Sequence, residues 1–143
     1  MDRVGNLVIL NTQDARIRLF ANIIQPMSFR FENLEIWQSS IQLSKIFDEF
    51  ANRAVDRRMF RYAEQLRGAS LSVSNNIAEG SGCFSKKEFI RFLGYARRSV
   101  FEIVNTLHAY EQNKLISQAE RLKHYPDLLK LSRQISNFMK SLE

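Results

Sequence analysis

Little in this chain interrupts a helix. Its 143 residues include 5 glycines and 2 prolines, too few for the many turns of a strand-rich sandwich or barrel but enough to separate a few long helices. One cysteine, Cys83, excludes an intramolecular disulfide and a cysteine-based structural zinc site, and it fits a reducing cytoplasm. No apolar run reaches the length of a membrane span, so no membrane partner is expected. The order of residues at the N-terminus is wrong for a secretory signal, which needs basic residues before an unbroken apolar core. The two histidines, His108 and His124, are poorly placed to hold metal: the paired Glu-x-x-His motifs of di-iron bundles are missing, since Glu111 follows His108 and the Glu120–His124 couple is single. No Walker loop, dinucleotide glycine fingerprint, zinc-protease helix motif or nucleophile elbow occurs. The chain is therefore expected to be no enzyme, with no metal and no cofactor.

The hydrophobic fraction of 45% and the charged fraction of 25% are those of an ordinary globular chain, and the length suits one domain with a real core. Apolar residues recur at helical spacing in four stretches. In the first, Leu34, Trp37, Ile41, Phe47, Phe50 and Ala51 share a face; in the second, Met59, Tyr62, Ala63, Leu66, Ala69, Val73 and Ile77 do. Small residues, Gly68-Ala69-Ser70 and Ser72-Val73-Ser74, predict a tight helix crossing in that second stretch. The third is the most regular: Phe89, Leu93, Ala96, Val100, Ile103, Leu107 and Tyr110 alternate in steps of four and three, a heptad seam. The fourth starts after Ser117, a candidate N-cap, and carries Leu122, Leu128, Leu131, Ile135, Phe138 and Leu142, with Pro126 expected to kink one continuous element. Helices are predicted near 34–54, 57–79, 85–112 and 118–141. Short connections make them antiparallel neighbours, an all-α, up-down-up-down four-helix bundle. Pro26-Met27 reads as a boundary, with Met27 a candidate native start. The domain plan is thus an N-terminal extension over 1–28, disordered or a mis-assigned start being both open, and a bundle over 29–143.

The most distinctive stretch runs Asn75-Asn76-Ile77-Ala78-Glu79-Gly80-Ser81-Gly82-Cys83-Phe84-Ser85-Lys86-Lys87-Glu88-Phe89. It reads as a helix stop, a turn and a helix start. Gly80 is expected to take the left-handed conformation that closes a helix. Ser85 and Glu88 have the spacing of a reciprocal capping box, and Phe84 and Phe89 that of a hydrophobic staple. Glu79 is expected to pair with Arg91 or Arg67 across the corner, and Asn76 to satisfy backbone groups near the helix end. Cys83 is expected to be inert.

Together with Leu66-Arg67, Ser72-Val73 and Arg91-Phe92-Leu93, the residues Asn76, Glu79, Gly80, Ser85, Glu88 and Phe89 resemble the signature of the four-helix-bundle family of 23S rRNA intervening-sequence proteins. Phe31-Glu32-Asn33-Leu34-Glu35-Ile36-Trp37-Gln38 is similar to that family's opening motif, and the resemblance extends over about residues 29–142. Two positions depart from the pattern: Ser74 stands where a proline is usual, which implies a more regular second helix, and Cys83 where a basic residue is usual, which takes a cation from the turn. The resemblance implies a small bacterial cytoplasmic bundle without established catalytic activity. It also implies assembly into five-fold rings, and for some relatives binding of nucleic acid and of a reverse transcriptase.

The charges fit that expectation. A net +6 arises from 21 basic and 15 acidic residues, an excess that suits a polyanionic partner or simple solubility. Arg57, Arg58 and Arg61, supported by Lys86, Lys87 and Arg91, are the candidate RNA contacts, arginine being suited to phosphate by its planar fork of donors. Phe92, Tyr95, Phe101 and Val104 lie off the heptad seam of the third helix, which is therefore apolar on more than one face; they are the candidate contacts of a homo-oligomer. An RNA-binding oligomer is one expectation. A protein-interaction scaffold without a nucleic-acid role is the other.

Overall fold

A computed structural model describes residues 28–143; apart from Ser28, the expected N-terminal extension lies outside the described residues. A 3-10 turn, Arg30–Asn33, leads into four helices: α1 (Glu35–Asp56), α2 (Phe60–Ser81), α3 (Lys86–Gln112) and α4 (Gln118–Leu142). No strand occurs among the described residues. Sequential helices pack as antiparallel neighbours. α2 and α3 make the most extensive contact, whereas α1 and α4 meet only lightly. The expected bundle is what the chain forms.

The heptad seam of α3 is correct throughout: Phe89, Leu93, Ala96, Val100, Ile103, Leu107 and Tyr110 are all buried. So are Ala63, Leu66, Ala69, Val73 and Ile77 of α2. Of the other expected apolar residues, Leu34, Trp37, Met59, Tyr62, Phe138 and Leu142 are half-buried, and two are exposed. Ile41 is exposed, because α1 turns Ile36, Ser40, Leu43 and Phe47 inward instead. Leu122 is also exposed, and α4 buries Arg121 and His124 in the same stretch. Arg121 is neutralised by an ion pair to Glu111. His124 sits edge-on to the rings of Phe47 and Phe50, with centroids 6.1 and 5.8 Å away. Among the described residues no buried side-chain nitrogen or oxygen lacks a hydrogen-bond partner, as expected when each lost partner costs about 1–3 kcal/mol.

The corners hold several differences from expectation. No glycine among the described residues has a positive φ, and Gly80 lies inside α2 rather than closing it. Its role is steric. A Cβ added there would lie 2.7 Å from both Phe89 Cδ2 and Phe92 Cβ, so glycine is what lets α3 come this close. Gly68, where the small-residue run predicted close approach, faces open space. The capping of α3 is also only half reciprocal. The Glu88 N–H donates to the Ser85 hydroxyl (3.2 Å), while the Glu88 carboxylate accepts from that hydroxyl rather than from the Ser85 backbone. A full capping box forms instead at α4, between Ser117 and Glu120. The predicted staple is absent, since Phe84 is fully solvent-exposed at 108%.

At the opposite end, Arg58 and Lys114 adopt left-handed φ values of 58° and 57°, a conformation that costs a non-glycine residue about 1 kcal/mol or more. One lies in each of the turns α1–α2 and α3–α4, which explains why α2 begins at Phe60 rather than at 57. Arg57 ties these turns together by donating to the carbonyls of Asn113 (2.7 Å) and Lys114 (3.3 Å). Arg53 joins them through Glu120 (2.8 Å). Pro126 lies inside α4, which stays one continuous element.

Two outcomes follow from this packing. Gly80→Ala must push Phe89 and Phe92 away from α2, and overpacking of this kind costs about 1–3 kcal/mol. Urea denaturation is expected to show a lower midpoint at an unchanged slope. Burial lowers the pKa of His124, helped by Lys123 and opposed by Asp127 and Glu120. The folded state therefore disfavours the imidazolium. Stability should hold above about pH 6.5 and fall as the unfolded histidine takes up its proton below that value. In His124→Phe the loss between about pH 6.5 and the carboxylate range should disappear, as thermal unfolding across pH would show.

Candidate nucleic-acid interface

The end of α1 and the start of α2 carry Arg57, Arg58 and Arg61, and the first turns of α3 carry Lys86, Lys87 and Arg91. All six are exposed. The fold does not bring the two groups together. They sit at opposite ends of α2, whose 22 residues separate them by roughly 30 Å within one chain. Arg57 is occupied in holding the α3–α4 turn. Arg61 remains available and, with Tyr62, Gln65, Glu102, Asn105, Thr106 and Ala109, lines a groove of mixed polarity of about 440 Å³ between α2 and α3. A hydrogen bond from Gln65 to Glu102 crosses that groove.

Lys86 and Lys87 occupy the N-terminal turn of α3, where the helix dipole already presents positive charge. Their ammonium groups add to that field, with Glu88 in the same turn opposing it. Arg91 lies over the ring of Phe92, 5.7 Å from its centroid. The ion pairs among the described residues use other arginines: Arg53 with Glu120, Arg67 with Asp48 and Arg121 with Glu111. Arg67 also donates to Asn52 (2.7 Å). Glu79 thus pairs with neither Arg67 nor Arg91, and it stays exposed.

The rest of the motif is architectural. Asn76 donates to the Ser72 carbonyl (2.7 Å) and hydroxyl (3.1 Å), in line with the expectation that it serves local groups. The Ser99 hydroxyl donates across to Ser72 (2.9 Å), so a short polar ladder crosses the α2–α3 seam. Phe89 is buried edge-on to Phe138 of α4, with Arg30 above its ring. Cys83 is half-buried, its thiol 3.5 Å from the Glu79 carbonyl.

The off-seam apolar residues of α3 fall on two flanks. Phe92 and Tyr95 lie on the α2 side, their rings perpendicular and 6.1 Å apart. Phe101 and Val104 lie on the α4 side, where with Val100, Tyr125, Leu128, Leu129 and Ser132 they line an apolar groove of about 180 Å³. Phe101 is 56% exposed, Tyr125 and Leu129 are also exposed at 41% and 43%, and Leu122 stands one turn further along. Tyr125 and Leu129 join the candidates on this flank. Their signal was the spacing Leu122, Tyr125, Leu129, a second helical stripe beside the core stripe of α4.

Among the described residues no three His, Cys, Asp or Glu side chains gather to hold a metal ion. Nor is any helix among them long and apolar enough to cross a membrane. Burial raises the Tyr110 phenol to about 12, against a lowering by Arg67, and its hydroxyl donates to the Tyr62 carbonyl (3.0 Å). That tyrosine is a core strut.

Comparison with curated proteins finds no match. A family model described as the 23S rRNA-intervening sequence protein matches residues 32–137, which takes in α1 to α3, the α2–α3 corner and most of α4, and the chain belongs to that family.

Proposed function

We propose that this protein is a non-enzymatic homo-oligomer of the cytoplasm, a ring of five, that binds RNA through exposed basic side chains. One observation carries the RNA reading. All six candidate cations are exposed and none is in an ion pair among the described residues, while the arginines that do pair are different ones. Apart from Arg57, which holds the α3–α4 turn, these cations on a chain of net +6 are available to phosphate. The name of the family, with its reference to an rRNA intervening sequence, favours RNA over DNA as the partner. Repetition of a modest patch around an oligomer would raise weak contacts to useful affinity.

Assembly is supported by the apolar α3–α4 flank, where Phe101, Tyr125 and Leu129 leave neighbouring apolar surface in water that a contact with another copy would cover. In a ring the contact is head-to-tail, so each subunit presents this flank to a different face of its neighbour. The same flank favours a second reading, a scaffold that recruits another protein and uses its charge for solubility.

Light scattering is expected to give a mass of several subunits at micromolar concentration. Phe101→Glu should reduce it to a monomer while far-ultraviolet circular dichroism stays helical; an unchanged mass removes Phe101 from the interface. For the RNA reading, anisotropy of a labelled single strand should show affinity falling as salt rises. Arg58→Glu with Arg61→Glu should weaken binding and flatten the log–log salt slope by about 1.4 if each guanidinium holds one phosphate. Arg57 is kept, because it also holds the α3–α4 turn. No binding at low salt, or a variant that matches the parent, would leave the scaffold reading.

A further inference from the structure

We infer that the α2-side flank of α3 is a stacking platform for unpaired RNA bases, formed by Phe92 and Tyr95 between the guanidinium groups of Arg91 and Arg98. This rests on the RNA-binding reading above and gives it a site.

The geometry comes from four side chains on one stretch of helix. Tyr95 is 41% exposed and meets the Phe92 ring edge to face, with an interplanar angle of 90°. Phe92 is half-buried, with its Cβ set against Gly80 of α2, so Tyr95 leans on a wall that cannot retreat. Arg98 lies 5.7 Å from the Tyr95 centroid and Arg91 the same distance from that of Phe92. Residues 91, 95 and 98 are spaced i, i+4 and i+7, which puts them in one row along the helix. Both arginines are exposed, and neither is in an ion pair among the described residues. The nearest acids along this row are Glu88, one turn before Arg91 and accepting from the Ser85 hydroxyl, and Glu102, one turn after Arg98 and bonded to Gln65, with Glu79 at the end of α2.

An exposed ring, Tyr95, with Arg98 against it and Arg91 against its partner Phe92, matches the two halves of an unpaired nucleotide. The base stacks on the ring and the flanking phosphates meet the cations. A duplex offers the phosphates but keeps its bases stacked internally, so the aromatic component selects single strands and loops. The alternative use of this flank is a subunit contact, and its chemistry opposes that. Burying it against another copy would strip water from Arg91 and Arg98 with no carboxylate supplied by the apolar α3–α4 flank, which carries Arg97 over Phe101. The candidate residues Phe92 and Tyr95 thereby separate from Phe101 and Val104: the first pair serves RNA, the second assembly.

The test uses the full chain, a labelled polyadenylate strand and an abasic strand of equal length and charge. Tyr95→Leu keeps apolar bulk and removes the ring; Tyr95→Phe keeps the ring. Tyr95→Leu is expected to weaken polyadenylate binding roughly fivefold to a hundredfold, with the salt slope and the abasic-strand affinity unchanged, while Tyr95→Phe stays near the parent. If the parent binds polyadenylate and Tyr95→Leu binds it equally well, the platform is overturned and the RNA reading stands. If the parent binds neither strand, both are overturned. A smaller mass for Tyr95→Leu in light scattering would identify the flank as a subunit contact and overturn the platform.

Discussion

The missing Cβ of Gly80 allows Phe89 and Phe92 of α3 to press against the α2 backbone, and much of the molecule is arranged around that contact. Phe89 continues through the interior to Phe138 of α4 and receives Arg30 from the entering 3-10 turn. Phe92 is turned outward to Tyr95. One close approach therefore sets the position of the core at this end and the pose of the aromatic residues on the surface. Along the same seam the Asn76–Ser72–Ser99 ladder replaces apolar interdigitation with directional hydrogen bonds, which fix the register of α3 against α2. Small and polar residues here are the condition for two backbones to run near one another.

The legible part of this fold was the part governed by period. Steps of four and three located every buried residue of the α3 seam, and the scarcity of glycine and proline foretold long helices. Period was less informative where a helix carries two stripes. In α4 the sequence offers Leu122 to the core, but the stripe that turns inward begins with Arg121 and His124, because Glu111 and the rings of Phe47 and Phe50 are there to receive them. No one-dimensional pattern shows a partner that arrives from another helix. The same holds for Gly80, whose conformation is ordinary and whose neighbours are decisive. Phe84 shows the converse: its spacing from Phe89 is that of a staple, yet the turn carries it into solvent.

The candidate surfaces were legible by residue type but not by place. Arginines and off-seam aromatics could be picked out along the chain, whereas their grouping depends on helix direction. Antiparallel packing sends Arg58 and Lys86 to opposite ends. Helical phase sends Phe92 and Phe101, nine positions apart, to opposite flanks of one helix. By residue type Arg91 is a candidate RNA contact and Tyr95 a candidate subunit contact; in the fold they border the same ring cluster. Charge and apolar area thus lie beside each other on the α2 flank of α3, while the α4 flank is mainly apolar.

The light contact between α1 and α4 has a thermodynamic consequence of its own. α4 is held chiefly by α3, and it contains Pro126, which cannot donate a backbone hydrogen bond to the preceding turn. It is the helix whose release breaks the fewest contacts between elements, and its opening would expose Leu128, Leu131 and Ile135 together. The groove bearing Phe101, Tyr125 and Leu129 spans α3 and α4, so whatever covers it clasps both helices at once. Docking of α4 and occupancy of that groove are then linked equilibria. Each fastens the other by mass action, so the cooperativity of the bundle depends on the concentration of whatever occupies the groove.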